Sequence, residues 1–179
     1  MTEIPKNPQD IHAILVRLAD DLMKTISDWD KVAFIGIRSG GELIARDLVK
    51  LLKEKTGNQI PLGALDIALY RDDLTRRKSY PEVRSTDIPF AVDAKEIILV
   101  DDVLYTGRSV RAAIDHIVDL GRPERIYLLV LFDRKGRELP IQADFTGLKI
   151  NLPDDQVIKI EALEGKDAIG GVVISEVKR

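Results

Sequence analysis

Paired carboxylates and the side chains of an anion-binding turn stand together in one short segment, ILVDDVLYTGRSV, at residues 98–110. An apolar run leads directly into Asp101 and Asp102, and Thr-Gly-Arg-Ser occupies residues 106–109. Helical spacing of apolar residues begins at 107, so this turn opens a predicted helix. Backbone N–H groups at a helix N-terminus bind anions, and two hydroxyls and a guanidinium add further donors. The segment therefore predicts a phosphate-binding turn beside paired negative charge.

The two aspartates need a role that is compatible with a neighbouring phosphate. An ionised carboxylate only accepts hydrogen bonds, so ligand hydroxyls are one suitable partner. Mg²⁺ is another, because it takes carboxylate and phosphate oxygens together. A sugar phosphate satisfies both conditions. The alternative is a strand-end pair that caps the next helix without any ligand, which leaves the Thr-Gly-Arg-Ser sequence without a role.

Other phosphate-binding motifs are missing from the chain. It contains neither a Gly-x-x-x-x-Gly-Lys-Ser loop nor a Gly-x-Gly-x-x-Gly turn after a first strand. This argues against a nucleoside triphosphate P-loop and against a dinucleotide-binding fold.

The elements that must position these residues alternate between apolar runs and helical periodicity. Buried strands that alternate with helices predict an α/β protein whose parallel sheet is flanked by helices. Ligands of such sheets bind beyond the carboxyl ends of the strands, where we expect Asp101 and Asp102 to lie. The predicted helices cover 9–27, 42–55 (closed by Gly57) and 107–120, and the predicted strands cover 31–37, 62–70, 96–100 and 125–132.

Two stretches depart from this alternation. Residues 71–89 are heavily charged, hold two prolines and show no clear period, which predicts a long mobile loop or β-arm of functional importance. Beyond residue 133, short β-like pieces at 139–143, 157–160 and 171–175 predict a small hood with a last edge strand. We expect a single domain over residues 1–179.

Composition excludes several classes of chemistry. The 179 residues contain no cysteine, which excludes disulfides, thiolate nucleophiles and cysteine-based metal sites. The two histidines, His12 and His116, fall in helical stretches, where a structural role is expected. A net charge of −3 argues against a non-specific nucleic-acid coat. With no apolar run of about 18 residues and no secretory signal, we expect no membrane association and a cytoplasmic location.

The strand, acidic pair and Thr-Gly-x-Ser turn resemble the phosphoribosyl pyrophosphate motif of type I phosphoribosyltransferases. The resemblance continues, in order, through LYRDDL (69–74), VRSTDIPF (83–90), DLGRP (119–123) and DRKGRELPIQADFTG (133–147). These segments are similar to the pyrimidine-operon regulators within that family, which are uracil phosphoribosyltransferases and in many members bind mRNA. The resemblance implies the type I fold, a flexible loop at about 71–89 and a hood contributed mainly by about 134–165.

The resemblance also implies roles for individual residues. By resemblance, Asp101 and Asp102 bind the ribose hydroxyls and Mg²⁺, and the turn at 106–109 binds the 5′-phosphate. The IRSGG turn (37–41) and Arg84 bind the pyrophosphate. The family usually has Thr-Arg-Gly where this chain has Ser39, Gly40 and Gly41, and we expect these glycines to permit a strained backbone. The implied phosphoribosyl pyrophosphate site comprises Arg38, Ser39, Gly40, Gly41, Asp101, Asp102, Val103, Leu104, Tyr105, Thr106, Gly107, Arg108 and Ser109.

Tyr105 indicates the class of base. Purine transferases of this type commonly have an aspartate at its position, and tyrosine has no such acidic role at neutral pH. By resemblance, Tyr105, Arg134 and Ile158 contact uracil. Relatives often carry Gly-His before the Arg-Glu-Leu sequence, where this chain has Lys135 and Gly136.

Three functions stay open from the sequence. The first is a uracil phosphoribosyltransferase that uses phosphoribosyl pyrophosphate and Mg²⁺ to make UMP. The second is an mRNA-leader-binding regulator that senses UMP- or UTP-type nucleotides with vestigial enzyme activity, using Arg17 and Arg137 although Asp20 and Asp21 make the first helix acidic. The third is a transferase for another nucleobase. A homodimer or homotetramer is expected by resemblance.

Overall fold

A computed structural model describes residues 4–5, 7–68, 70, 85–163 and 168–176. In chain order, the elements within these residues are helix α1 (Pro8–Thr25), a 3₁₀ helix (Trp29–Lys31), strand β1 (Val32–Ile37), helix α2 (Gly40–Thr56), strands β2 (Leu62–Leu65) and β3 (Glu96–Leu104), helix α3 (Arg108–Leu120), and strands β4 (Arg125–Arg134), β5 (Phe145–Ile150), β6 (Gln156–Ala162) and β7 (Ile169–Glu176).

The central sheet is parallel and has helices on both faces. Its strand order is β2-β1-β3-β4-β5, and every neighbouring pair runs parallel. Alternate residues of β1 face opposite sides: Val32 and Phe34 join the core under α1 and α2, whereas Ala33 and Ile35 join the core under α3. The predicted α/β architecture is confirmed.

The helix boundaries follow from local chemistry. The Asn7 side chain accepts a hydrogen bond from the Asp10 N–H at 2.9 Å, and Pro8 begins α1. Helix α2 ends at Gly57, whose left-handed backbone (φ 77°) suits glycine at a helix C-terminus. Among the described residues, no helix is long and apolar enough to cross a bilayer.

Some predicted strands are corrected by the structure. Strand β2 ends at Leu65 rather than at residue 70, and residues 139–143 form no strand. The N–H of Leu139 bonds to Thr106 and that of Ile141 bonds to Leu139, so this backbone is used in a turn. Strand β5, which we did not predict, instead completes the edge of the main sheet.

The hood is an antiparallel hairpin of β6 and β7. The predicted β pieces at 157–160 and 171–175 lie in these strands, whereas β5, inside the expected hood range 134–165, belongs to the main sheet. Most of the loop predicted at 71–89 lies outside the described residues. At its described end, Asp87 forms an isolated antiparallel bridge with Ala64.

We predict that Leu48→Ala, in α2, lowers the free energy of unfolding by about 3 kcal/mol, because it leaves a cavity in a close-packed core. Leu48 is fully buried. Val118→Ala, at a position that is 58% exposed on α3, is the control and should change stability by less than about 0.5 kcal/mol. Urea unfolding measures both, and equal effects would contradict the assigned core.

Candidate active site

The acidic pair lies where two neighbouring strands diverge. The pairing of β1 with β3 ends at Gly36 and Val100, whereas β3 continues to pair with β4 as far as Leu104. Asp101 and Asp102 therefore lie within β3. The predicted strand ended at residue 100 and would have placed both of them after its end. They sit just past the end of β1, so the predicted position at the carboxyl edge of the sheet holds with respect to β1.

The two carboxyl groups have different surroundings. Asp101 is 6% exposed, and its Oδ1 accepts the Asp102 N–H at 2.9 Å. The Asp102 side chain keeps partial exposure, and its Oδ2 accepts the Ile160 N–H from the hood at 3.5 Å. Burial raises the pKa of the Asp102 carboxyl, and hydrogen bonds with Asp101 and with the Ile160 backbone oppose that rise. A cation or hydroxyl donors would offset this cost of ionisation.

The turn at 106–109 forms the N-terminus of α3, as predicted. Gly107 has a left-handed backbone (φ 93°), and α3 begins at Arg108. The Thr106 Oγ1 accepts the Arg108 N–H at 3.3 Å. From the other side, the N–H groups of Glu138 and Leu139 donate to the Thr106 carbonyl at 3.0 and 3.1 Å. The turn is thus held by backbone hydrogen bonds at the start of a helix, where anions bind.

A cavity of about 360 Å³, which we call the turn cavity, opens at this turn. The Arg108 guanidinium inside it pairs with Glu138, with 2.6 Å between Nε and Oε2. The resemblance assigned no role to Glu138, although it belongs to the Arg-Glu-Leu sequence. The lining residues are Asp101, Val103, Leu104, Tyr105, Thr106, Gly107, Arg108, Ser109, Val110 and Glu138.

The turn between β1 and α2 is packed tightly against β3. A Cβ at Gly41 would overlap the Val100 carbonyl oxygen, and one at Gly40 would overlap the Asp102 carboxyl. Neither glycine has a positive φ, so neither is required for a left-handed backbone. Gly41 is required because its backbone approaches that of β3 closely, and Gly40 because the Asp102 side chain lies against it. The Arg38–Ser39 peptide bond is cis.

A second cavity, of about 370 Å³, lies at this turn and is called the sheet-edge cavity. It is lined by residues 37–40, 66–68, 101–103, 109 and 157–160. Arg38 lines this cavity and forms an ion pair with Glu42, with 3.7 Å between Nη1 and Oε2. Because both cavities include Asp101, Val103 and Ser109 in their lining, they adjoin each other, and the acidic pair lies between two turns.

Tyr105 and Arg134 come together, and both contact the 152–156 segment that leads into the hood. The Arg134 guanidinium lies 4.1 Å from the Tyr105 ring centroid. It is 3% exposed and donates to the carbonyls of Leu152, Pro153 and Gln156. The Tyr105 hydroxyl bonds to Asp154 at 3.2 Å. These two side chains therefore link the turn at 106–109 to the 152–156 segment.

Other predicted residues are placed as follows. Ile158 lines the sheet-edge cavity at the hood, and Arg84 lies outside the described residues. Arg137 donates to the Tyr105 carbonyl and to Asp133. Arg17 donates to the Gly147 carbonyl while its side chain stays 51% exposed.

A Cβ at Gly136 would overlap the Tyr105 ring. A larger residue at position 136 would therefore move that ring. The departure from Gly-His in the sequence marked this position, but its contact could not be read from the sequence.

The donor set fits a metal ion that arrives with a ligand. Within the described part of the chain, no group of three or more His, Asp or Glu side chains is arranged to hold a metal. Two adjacent carboxylates suffice for Mg²⁺, which keeps several waters and takes further oxygens from phosphate ligands. Asp101 and Asp102 are the residues that would hold it.

The amino-acid sequence matches known proteins over most of its length. Residues 3–163 match the phosphoribosyl transferase domain family. The chain is similar to the bifunctional protein PyrR of Syntrophobacter fumaroxidans, with 43% identity over 94% of this chain and 90% of that protein. It is also similar to the bifunctional protein PyrR of Thermus aquaticus, with 44% identity over 91% of each.

Solved structures share the fold at low identity. A hypoxanthine-guanine phosphoribosyltransferase from Bacillus anthracis superposes with a TM-score of 0.71 at 17% identity, covering 99% of both chains. The HGPRT-ase of Leishmania tarentolae, in complex with GMP, gives 0.68 at 13% identity over 97% of this chain and 95% of that one. At such identities the similarity establishes the type I phosphoribosyltransferase fold alone.

We predict that Asp102→Asn gains stability over the wild type as pH rises. The pKa of Asp102 is raised in the folded protein, so folding favours the neutral carboxyl, and its ionisation costs native stability as pH rises through the folded-state pKa. The neutral amide escapes that cost. The advantage should be small near about pH 4 and should grow towards about pH 8.

Urea unfolding with a chelator present measures this difference at each pH. Asp115→Asn is the control, because it removes an exposed carboxylate that pairs with Arg111 on α3. An Asp102→Asn advantage that stays constant with pH would contradict the assigned burial of the charge.

Proposed function

This chain belongs to the phosphoribosyl transferase domain family and, within it, to the bifunctional PyrR proteins, and we propose that it is a uracil phosphoribosyltransferase. The proposed reaction joins uracil N1 to C1′ of phosphoribosyl pyrophosphate and releases pyrophosphate, giving UMP. The observation that carries the proposal is the pair of adjoining cavities, with an acidic pair between a helix N-terminal turn and a second turn.

The two ends of a sugar phosphate match the turn and the acidic pair. The turn at 106–109 offers backbone N–H groups and the hydroxyls of Thr106 and Ser109 to a 5′-phosphate. Asp101 and Asp102 offer acceptor oxygens to the 2′- and 3′-hydroxyls. Because the two cavities share Asp101 and Ser109, one ligand can engage both groups. This is the chemical pairing that one compact ribose phosphate supplies.

The second turn suits the departing pyrophosphate. Helix α2 begins at Gly40, with Ser39 as its N-cap residue and Gly41 in its first turn. A ligand at this turn would therefore meet the positive end of the helix dipole. Arg38 lines the same cavity and supplies a guanidinium. We assign pyrophosphate to this turn, with Arg84 as a further cation by resemblance to the family.

The hood supplies the side that would receive the base. Ile158 and its neighbours in β6 line the sheet-edge cavity together with the acidic pair. Tyr105 and Arg134 connect this hood to the turn, so we propose that they contact uracil and position its ring relative to the turn. Tyrosine at position 105 favours a pyrimidine over a purine, because it offers no carboxylate to a purine ring.

The proposed mechanism is positional and electrostatic. Mg²⁺ carried with phosphoribosyl pyrophosphate would supply positive charge to the pyrophosphate as it leaves. The aspartates hold the ribose so that C1′ faces the base, and the two turns hold the phosphates apart along the site. By resemblance to the family, closure of the loop at 71–89 would limit access of water to the oxocarbenium-like centre. No protein nucleophile is needed.

A second function, the binding of a pyrimidine-operon mRNA leader, is favoured by the similarity to bifunctional PyrR proteins. Arg17 on α1 is the more exposed of the two candidate arginines, at 51% against 26% for Arg137. UMP- and UTP-type nucleotides would bind at the site described above. A cytoplasmic location and a homodimer or homotetramer complete the proposal.

We predict that the protein converts uracil and phosphoribosyl pyrophosphate to UMP with Mg²⁺ and prefers uracil over hypoxanthine by at least about tenfold in kcat/KM. Asp102→Asn should lose at least about 90% of the activity while keeping its far-ultraviolet circular dichroism, because it removes an acceptor from the site. Asp115→Asn should retain activity. No UMP from uracil, or full activity in Asp102→Asn, would contradict the proposal.

We predict that binding to a leader hairpin weakens linearly with the logarithm of salt concentration, because counterions are released from neutralised phosphates. Arg17→Gln should reduce that slope by about 1. Lys31→Gln, on the 3₁₀ helix and 53% exposed, is the control and should leave the slope unchanged. Filter binding across salt concentrations measures both, and binding that ignores salt would remove the RNA function.

A further inference from the structure

The turn cavity has an unexpected charge for a phosphate site. Its described lining carries two carboxylates, Asp101 and Glu138, and one guanidinium, Arg108. A phosphate monoester near pH 7 brings a charge of about −1.5 to −2 into this space. The proposed function gives Asp101 a partner in the ribose hydroxyls. It gives none to Glu138.

Glu138 pairs with Arg108, the cation that the phosphate would use. Its Oε2 lies 2.6 Å from Arg108 Nε, close enough for a charge-assisted hydrogen bond. Within the described residues, the neighbouring Arg134 and Arg137 cannot replace Arg108, because Arg134 donates to the carbonyls of Pro153 and Gln156 and Arg137 donates to Tyr105 and Asp133.

The Glu138 carboxylate is separate from the support that its segment gives to the turn. That support comes from backbone N–H groups of Glu138 and Leu139 on the Thr106 carbonyl, and from Leu139 and Ile141 beneath Gly107. The Glu138 side chain itself is 52% exposed. A change confined to its carboxylate therefore leaves the frame of the turn in place.

We propose that Glu138 competes internally with the phosphate group for Arg108 and thereby sets the affinity of the turn for phosphate monoesters. In the free protein Arg108 pairs with Glu138, and a bound phosphate monoester takes Arg108 over. The inference rests on the proposed binding of a 5′-phosphate at this turn. Its consequence is weaker retention of the nucleotide product than an uncontested arginine would give, which favours release.

The test is the affinity of Glu138→Gln for ribose 5-phosphate and for inorganic phosphate, measured by calorimetry without uracil. The amide keeps the size and backbone bonds of Glu138 but not its charge, so we expect binding of ribose 5-phosphate to tighten by about fivefold at low salt. The gain should shrink at about 0.5 M salt, because the competing pair is partly exposed and is screened.

Two further variants separate this role from simpler explanations. Asp115→Asn removes one carboxylate from the exposed Arg111 pair on the same α3, so it changes net charge equally and should leave affinity unchanged. In an Arg108→Gln background, Glu138→Gln should have less than about half its effect, because the contested cation is gone.

Unchanged or weaker binding in Glu138→Gln would overturn the proposal, as would an equal gain in Asp115→Asn or an undiminished gain in Arg108→Gln. The wild-type uracil assay is read separately. If it yields no UMP while Glu138→Gln still tightens ribose 5-phosphate, the proposed substrate is wrong and the role of Glu138 stands.

Discussion

The parallel pairing of β3 with β4 beyond residue 100 is the interaction on which the site depends. Strand β1 stops pairing with β3 at Gly36, opposite Val100, yet β4 holds β3 in the sheet for four more residues. The released end of β1 turns into α2, and the extended β3 carries the acidic pair past it. Without the support of β4, the two aspartates would lie on a loop, and their carboxyls would not be held between two helix N-termini.

Close backbone approach and charge pairing follow from that geometry. The first turn of α2 lies so near β3 that it has no room for side chains at Gly40 and Gly41. On the opposite side, the segment that follows β4 returns to bond with Thr106 and places Glu138 on Arg108. The site thus combines several carboxylates with the N-termini of two helices, and its chemistry depends on which positive group each carboxylate meets.

The helices and their ends could be predicted from the sequence, because they depend on residues that are neighbours along the chain. The apolar spacing of α1, the Gly57 terminus of α2 and the helix start after Gly107 are each properties of a few neighbouring residues. The strand at β5 was missed because its burial comes from the edge of the sheet and from α1, not from a strong apolar run of its own. The piece at 139–143 looked like a strand, but its backbone groups bond to the turn at 106–109.

The sequence by itself determined the class of fold, the acidic pair and the turn that begins α3, because each depends on residues within one helix or strand and its ends. Only the tertiary structure decided what faces them. The contacts between Arg108 and Glu138, Tyr105 and Asp154, and Asp102 and Ile160 join residues 30, 49 and 58 positions apart. Such contacts depend on how strands are ordered and paired, which sequence periodicity does not specify.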